Sequence, residues 1–191
     1  MKQTHFPSAA EVEQELKREQ YKRRYRRTLK STVFALVTAS AVAVLVATLW
    51  LPVLQIYGSS MSPTLQEGQI VVSVKANSME PGDIVAFYYG NKVLIKRYIA
   101  GPGTWVDIQE DGTVLLNGEV LDESYLVEKA FGICDLELPY QVPEGAYFLM
   151  GDHRETSVDS RHSSVGCISE DQIVGKIVYR VWPMDVFGTI D

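Results

Sequence analysis

Ile84-Val85-Ala86-Phe87-Tyr88-Tyr89, then Gly90-Asn91, then Lys92-Val93-Leu94-Ile95-Lys96-Arg97-Tyr98-Ile99-Ala100 reads as two strands and the turn between them. Both runs are rich in β-branched and aromatic residues, which suit a pleated, half-buried surface. A Gly-Asn pair between apolar runs is a hairpin signal. Met79-Glu80-Pro81-Gly82-Asp83 supplies a turn before the first strand, and Gly101-Pro102-Gly103 ends the second. Further strands are predicted over 69–74, 105–109, 113–116, 119–121, 147–150 and 173–182, with Asp111-Gly112 and Asn117-Gly118 as turns. Residues 122–142 read as an insertion with little regular pattern. No Gly-rich phosphate loop and no 30-residue repeat interrupts the series. The expected fold is mostly β, a folded antiparallel sheet or barrel.

Upstream the chain changes character. Residues 1–30 hold nine Lys/Arg against four Glu, a net of +5, and the remainder holds nine against twenty Asp/Glu, a net of −11. The overall charge of −6 hides this split. No charged residue occurs from Ser31 to Gln66. Residues 31–52 are the densest apolar part, roughly 33 Å as a helix, enough to cross a hydrocarbon core of ~30 Å. Trp50 suits an interfacial aromatic belt, and Pro52 marks an exit because it cannot continue the helix. A buried core helix would show a polar face, which this run lacks. A cleavable signal would have a shorter apolar region before a small-x-small site, whereas Ala39, Ala41 and Ala43 lie mid-run with bulky residues after them. The reading is an uncleaved anchor.

The cations on the near side, Lys17 to Lys30, put residues 1–30 in the cytoplasm and the rest outside by the positive-inside rule. Beside a span, a basic tail is better matched to anionic lipid than to nucleic acid. Residues 9–29 favour a short cytoplasmic helix by composition. The expected organisation is a basic cytoplasmic tail at 1–30, a transmembrane helix at 31–52 in the plasma membrane, and an extracytoplasmic β-rich domain at 53–191. Cys134 and Cys167 both fall in the exported part, where an oxidising compartment permits a disulfide, but spacing does not show that they meet. Neither sits in a metal-ligand spacing, so no metal is expected.

Gly58-Ser59-Ser60-Met61-Ser62-Pro63-Thr64-Leu65 follows the apolar run and carries three serines in four residues. Pro63 restricts the backbone of Ser62. Spacing alone does not rank Ser59, Ser60 and Ser62 as nucleophiles. Lys96 is one of five lysines beyond residue 30, and strand alternation puts it on one face with Leu94 and Tyr98. Two readings stand side by side. Burial would lower its pKa and make it a base able to activate a serine hydroxyl, or its stem packs and its head reaches water. A Ser-His-Asp arrangement built from Ser157, His153 or His162, and Asp159 also stands, because triads assemble in space. His5 lies on the cytoplasmic side and drops out.

Ser60-Met61-Ser62-Pro63-Thr64-Leu65, Gly82-Asp83-Ile84-Val85, Lys96-Arg97 before Gly101-Pro102-Gly103, and Gly151-Asp152-x-Arg154-x-x-Ser157-x-Asp159-Ser160-Arg161 resemble, in order, the boxes of bacterial type I signal peptidases. The resemblance implies Ser60 as nucleophile and Lys96 as general base, in place of a histidine. It implies Ser157 as the hydroxyl that orients the lysine amine, Asp159 and Arg161 as a supporting ion pair, and Asp152 and Arg154 as part of the same loop. Two positions depart from the family. Gly58 carries no hydroxyl where some members have an oxyanion-binding serine, so another donor is needed. Thr104 stands where an Asp is common.

The implied chemistry is membrane-bound acyl transfer without cofactor, removing signal peptides from exported preproteins at Ala-x-Ala-like sites. Ser60 lies eight residues past Pro52, at most ~28 Å of extended chain, so the bond cut lies close to the outer membrane surface. Ile56, Met61, Leu65, Leu94 and Ile95 flank the two residues and are expected to wall pockets for small side chains, unless they serve the core. An extended substrate can add as a strand to a sheet edge. The expected partners are preproteins and the lipid bilayer, with no nucleic acid, and the expected working unit is a monomer. Two alternatives are a self-cleaving Ser/Lys repressor-type protease and a membrane-tethered β-domain that only binds partners. The anchor and the absence of a DNA-binding helix pair argue against the first. Retention of Ser60, Lys96 and Ser157 argues against the second.

Overall fold

A computed structural model describes residues 8–75 and 78–190. His5 and the side chain of Trp50 lie outside the described residues. The chain divides into two compact units, Met1–Leu49 and Trp50–Asp191.

The first unit is one helix, α1 (Ala9–Trp50). Residues 9–29, expected to form a short helix ahead of the span, are the first half of this one continuous helix. No Gly or Pro occurs between residues 9 and 50, so nothing in the sequence breaks the hydrogen-bond ladder. The helix is roughly 63 Å long at ~1.5 Å per residue, about twice what a bilayer needs. Its charged half carries Lys17–Glu13, Arg18–Glu15 and Lys22–Glu19 pairs at helical spacing. Its described side chains are exposed. The stretch Val12–Val46 contains a window of mean hydropathy 2.0.

The second unit is antiparallel β. Its strands are β1 (Val53–Gln55), β2 (Ile70–Val74), β3 (Ile84–Tyr89), β4 (Lys92–Ala100), β5 (Trp105–Ile108), β6 (Val114–Leu116), β7 (Glu119–Val120), β8 (Tyr140–Gln141), β9 (Ala146–Met150), β10 (Ile168–Ser169), β11 (Ile173–Trp182) and β12 (Gly188–Thr189). The larger sheet runs β1-β2-β11-β3-β4-β9-β10, with β12 added to β11, and the smaller runs β7-β6-β5-β8. β3 and β4 form the expected hairpin, Tyr89 opposite Lys92, and Gly90 supplies the φ of 57° that the two-residue turn needs. Asn117 and Gly118 turn the β6–β7 hairpin with both residues at positive φ.

Alternation along β3 sorts the core. Ile84 and Ala86 pack with Ile56, Met61, Leu65, Val71 and Ile177 on one face of the larger sheet. Val85 and Phe87 pack with Tyr98, Leu149 and Ile168 on the other. Where β4 and β9 reach the smaller sheet, Ile99, Ala100, Phe148 and Met150 close on Val106, Ile108 and Val114. This third cluster joins the two sheets. Phe148 is fully buried in it, so Phe148→Ala is expected to lower stability by about 3–5 kcal/mol, measured by urea unfolding in detergent.

Candidate active site

The register of β4 sets the site. Through Lys96 the strand is paired on one side only, by β3; from Arg97 onward β9 closes the other side, with Arg97 opposite Met150. β9 ends at Met150, so the 151–161 loop leaves the sheet beside Lys96. The remaining component is the 56–69 loop. Ile56 N–H donates to Gln69 O (2.8 Å) and Gly68 N–H to Ile56 O (3.0 Å), closing its neck. Met61 and Leu65 anchor it in the core, which leaves Ser60 half-buried against β4.

Lys96 Nζ and Ser60 Oγ lie 2.6 Å apart. The lysine is 4% exposed. Burial is the largest influence on its amine and pushes it down to about 8; Asp159 and Asp152 oppose this and Arg161 adds to it. Each of those carboxylates has its own arginine. Asp152 accepts from Arg97 Nε (2.9 Å) and Nη2 (2.8 Å), and from Thr64 Oγ1 (2.5 Å) on the Ser60 loop. Asp159 accepts from Arg161 Nε and Nη2 and from the Gly151 amide, all at 2.9 Å. Burial alone would raise Asp159, but these bonds outweigh it and hold its carboxyl below the usual range. Both carboxylates that act on the amine are thus held by arginines, and among the described residues neither stands free beside it.

Gly151 is where three parts meet. A Cβ there would collide with Ser157 Oγ and with the Ser60 carbonyl. That carbonyl accepts from the His153 amide at 3.0 Å, tying the serine loop to the 151–161 loop. Ser157 is fully buried. Its hydroxyl adds to the field that lowers Asp159 but completes no hydrogen bond of normal geometry.

The two histidines stand apart from Ser60. The His153 ring bonds the Thr156 hydroxyl in the open. The His162 ring bonds Ser164 Oγ (2.7 Å) and lies 3.8 Å from Asp135. Among the described residues no histidine ring contacts Ser60. Asp159 and Arg161 pair with each other, whereas Asp152 pairs with Arg97, and Arg154 with Glu123. Thr64, Arg97 and Gly151 lie in the quoted motifs without an assigned role, and Glu123 and Tyr125 lie outside them; these five are the site neighbours that sequence reasoning missed. The Lys-Arg and Gly-Asp dipeptides were visible, but Arg154–Glu123, Arg97–Asp152 and Thr64–Asp152 pair across 31, 55 and 88 residues of chain. Cys134 and Cys167 are free thiols.

A cleft of about 720 Å³ opens between the β1 side and β4, lined by Ile56, Gly58, Ser60, Met61, Leu94, Ile95 and Lys96 among others. Leu65 does not line it. That expectation is corrected: Leu65 is fully buried in the cluster beneath the serine loop, because its position in the turn points it under the sheet. Gly58 has a φ of 81° and open space where a side chain would stand. The Ser60 amide donates to no protein group among the described residues.

The family model described as "Signal peptidase, peptidase S26" matches residues 29–182. Signal peptidase IB of Staphylococcus aureus (strain COL) is 38% identical over 152 residues, covering 69% of this chain and 78% of that protein. Signal peptidase I of Bacillus caldolyticus is 33% identical over 163 residues, covering 75% and 88%. A crystal structure of a signal peptidase I from Enterococcus faecalis V583 aligns with a TM-score of 0.46 at 28% identity, over 52% of this chain and 97% of that one.

Two outcomes follow from the geometry. One lysine amine should titrate with a midpoint of about 8 by nitrogen-detected NMR of labelled protein, and that signal should vanish in Lys96→Arg. Gly151→Ala should destabilise the β unit by about 1–3 kcal/mol in urea unfolding, since the new methyl has backbone on one side and a buried serine on the other.

Proposed function

This chain belongs to the signal peptidase family, peptidase S26, and we propose that it cuts with Ser60 as nucleophile and Lys96 as general base, through an acyl-enzyme. Family membership makes it a membrane-anchored serine-type peptidase that removes signal peptides from preproteins. The observation that carries the dyad is the 2.6 Å contact between a buried amine and the serine hydroxyl.

An amine of pKa about 8 is neutral in about a tenth of molecules at pH 7, against about one in three thousand for an ordinary lysine. Neutral Lys96 accepts the Ser60 proton as Oγ attacks the scissile carbonyl. The lysinium then gives that proton to the leaving amine as the C–N bond breaks. A water, deprotonated by the same amine, attacks the ester, and the departing Oγ regains its proton. Ser157, a buried hydroxyl with no completed bond, is suited to hold the amine in line. The unpaired Ser60 amide is one oxyanion donor, and a donor of this kind is worth ~3 kcal/mol of barrier. Asp159 and Arg161, Asp152 and Arg154 hold the loop.

The substrate reading rests on the open edge of β4. Among the described residues, residues 92–96 have no strand partner on the cleft side, so an extended signal-peptide terminus can pair there. Ile56 and Met61, 4% and 3% exposed, offer only their edges to the cleft beside Ser60, with Leu94 and Ile95 opposite. That favours small side chains of the Ala-x-Ala kind. The basic segment before the span orients residues 1–30 inward, 31–52 across the bilayer and 53–191 outside. Val53 and Tyr179 share one face of the larger sheet through Val72 and remain apolar and exposed, a surface suited to lipid. The working unit is a monomer.

Detergent-solubilised protein should convert a preprotein to its mature form. Ser60→Ala and Lys96→Ala should each lower kcat/KM by at least about 10³-fold. With its base lowered to about 8, the parent should show log kcat/KM climbing with unit slope below pH 8 and levelling off above it. Parent-like cleavage by either variant would sink the dyad.

A further inference from the structure

Residues 123–131 touch all three buried arginines of the site. The Tyr125 ring lies 3.8 Å from the Arg97 guanidinium carbon, on which Asp152 also bears. Glu123 forms an ion pair with Arg154 Nη2, and Tyr125 Oη donates to Glu123 at 3.1 Å. The Phe131 carbonyl accepts from Arg161 Nη1 at 2.8 Å. Close approach is enforced at Gly132, whose φ is 64° and where a Cβ would strike the Arg154 carbonyl and Arg161. Arg97, Arg154 and Arg161 are 1%, 1% and 0% exposed.

This arrangement is poor as a stabilising device. Glu123 Oε2 and Arg154 Nη1 are buried without hydrogen-bond partners. A half-satisfied buried ion pair is weak support for stability compared with apolar packing. What it does provide is two routes to the serine. One runs from Tyr125 through Arg97 and Asp152 to Thr64 on the Ser60 loop. The other runs from Glu123 through Arg154, whose Nε bonds Gly151 O at 3.1 Å, to the His153 amide that holds the Ser60 carbonyl.

We infer that Glu123 and Tyr125 are positioning residues for signal-peptide cleavage, residues 123–131 acting as a strap that presses the Arg97–Asp152 pair and the 151–161 loop against the Ser60 loop. The inference rests on Lys96 being the base. The charged groups that act on its amine are Asp159, Arg161 and Asp152, and the strap reaches them through Arg97, Arg154 and Phe131. The Tyr125 phenol is raised by burial and by Glu123 beside it. If the ring is removed, Arg97 loosens from Asp152, the Asp152 charge is less compensated, and the lysine holds its proton to higher pH.

Full-length protein in detergent is assayed for preprotein cleavage across pH 6–10. Tyr125→Leu should lower kcat at pH 7 by about tenfold or more with KM within about twofold, and move the profile midpoint upward from the parent's. Tyr125→Phe keeps the ring over Arg97 and should retain the parent profile. Should Tyr125→Leu fail to fold, Glu123→Gln decides by the same readouts: lower kcat, unchanged KM and a displaced midpoint. A parent midpoint in either disruptive variant, a loss carried by KM, or a Tyr125→Phe as impaired as Tyr125→Leu overturns the strap. A parent with no midpoint near 8 instead fails the assignment of Lys96, so the two failures are told apart.

Discussion

The site is built around one contact, a buried lysine amine 2.6 Å from a serine hydroxyl, and the role proposed for it demands a place dry enough for that amine to shed its proton. Burying a cation is unfavourable, and a carboxylate nearby would restore the charge and destroy the base. The protein meets both demands at Lys96. The side chain is buried, and the two carboxylates that act on it, Asp152 and Asp159, are each engaged by an arginine in a two-point contact. Arginine suits this role because its planar fork stays charged and grips both carboxylate oxygens. The amine is thus left with Ser60 as its near partner.

The sheet supplies the place. β4 is nine residues long, and its two neighbours cover different parts of it. β3 pairs along residues 92–97, and β9 begins at 97. Lys96 falls at the handover, where a covered strand becomes an open edge. The covered half is packed into two apolar clusters, Tyr98 in one and Ile99 and Ala100 in the other. The open half faces the cleft and has backbone groups to offer an incoming chain. Because β9 ends at Met150, the loop bearing Ser157 and Asp159 starts from this same handover. Gly151 is required there by space, since Ser157 Oγ and the Ser60 carbonyl already occupy the volume a side chain would take.

Around this lies a polar layer with few apolar residues of its own. Arg97, Arg154 and Arg161 bind carbonyls of residues 82, 151, 154, 157 and 131 in addition to their carboxylates. Such a layer favours one arrangement of the loops, because most of its donors meet a particular backbone oxygen or carboxylate, Arg154 Nη1 excepted. It is also where irregular chain is ordered. Residues 122–142 contain little secondary structure beyond β8, yet Glu123 is buried and Phe131 helps cover the sheet junction.

Sequence alone determined the elements whose signals are local. The β3–β4 hairpin follows from two apolar runs around Gly90-Asn91, and β11 from the run 173–182, because side-chain period and turn chemistry act over a few residues. The mostly β architecture and the apolar helix were legible for the same reason. That α1 continues unbroken through residue 30 was also legible in principle, since no Gly or Pro stands there. Ordered motifs brought Ser60, Lys96 and Ser157 forward among several serines and lysines. Tertiary structure alone decided the rest. Leu65 belongs to the core because the turn at Ser60 tucks it beneath the sheet. Asp152 answers Arg97, and Arg154 answers Glu123, across separations that no local pattern encodes. The dryness that sets Lys96 is a property of the neighbours the fold gathers around it. Burial is a three-dimensional quantity, and a sequence can name the lysine without naming what surrounds it.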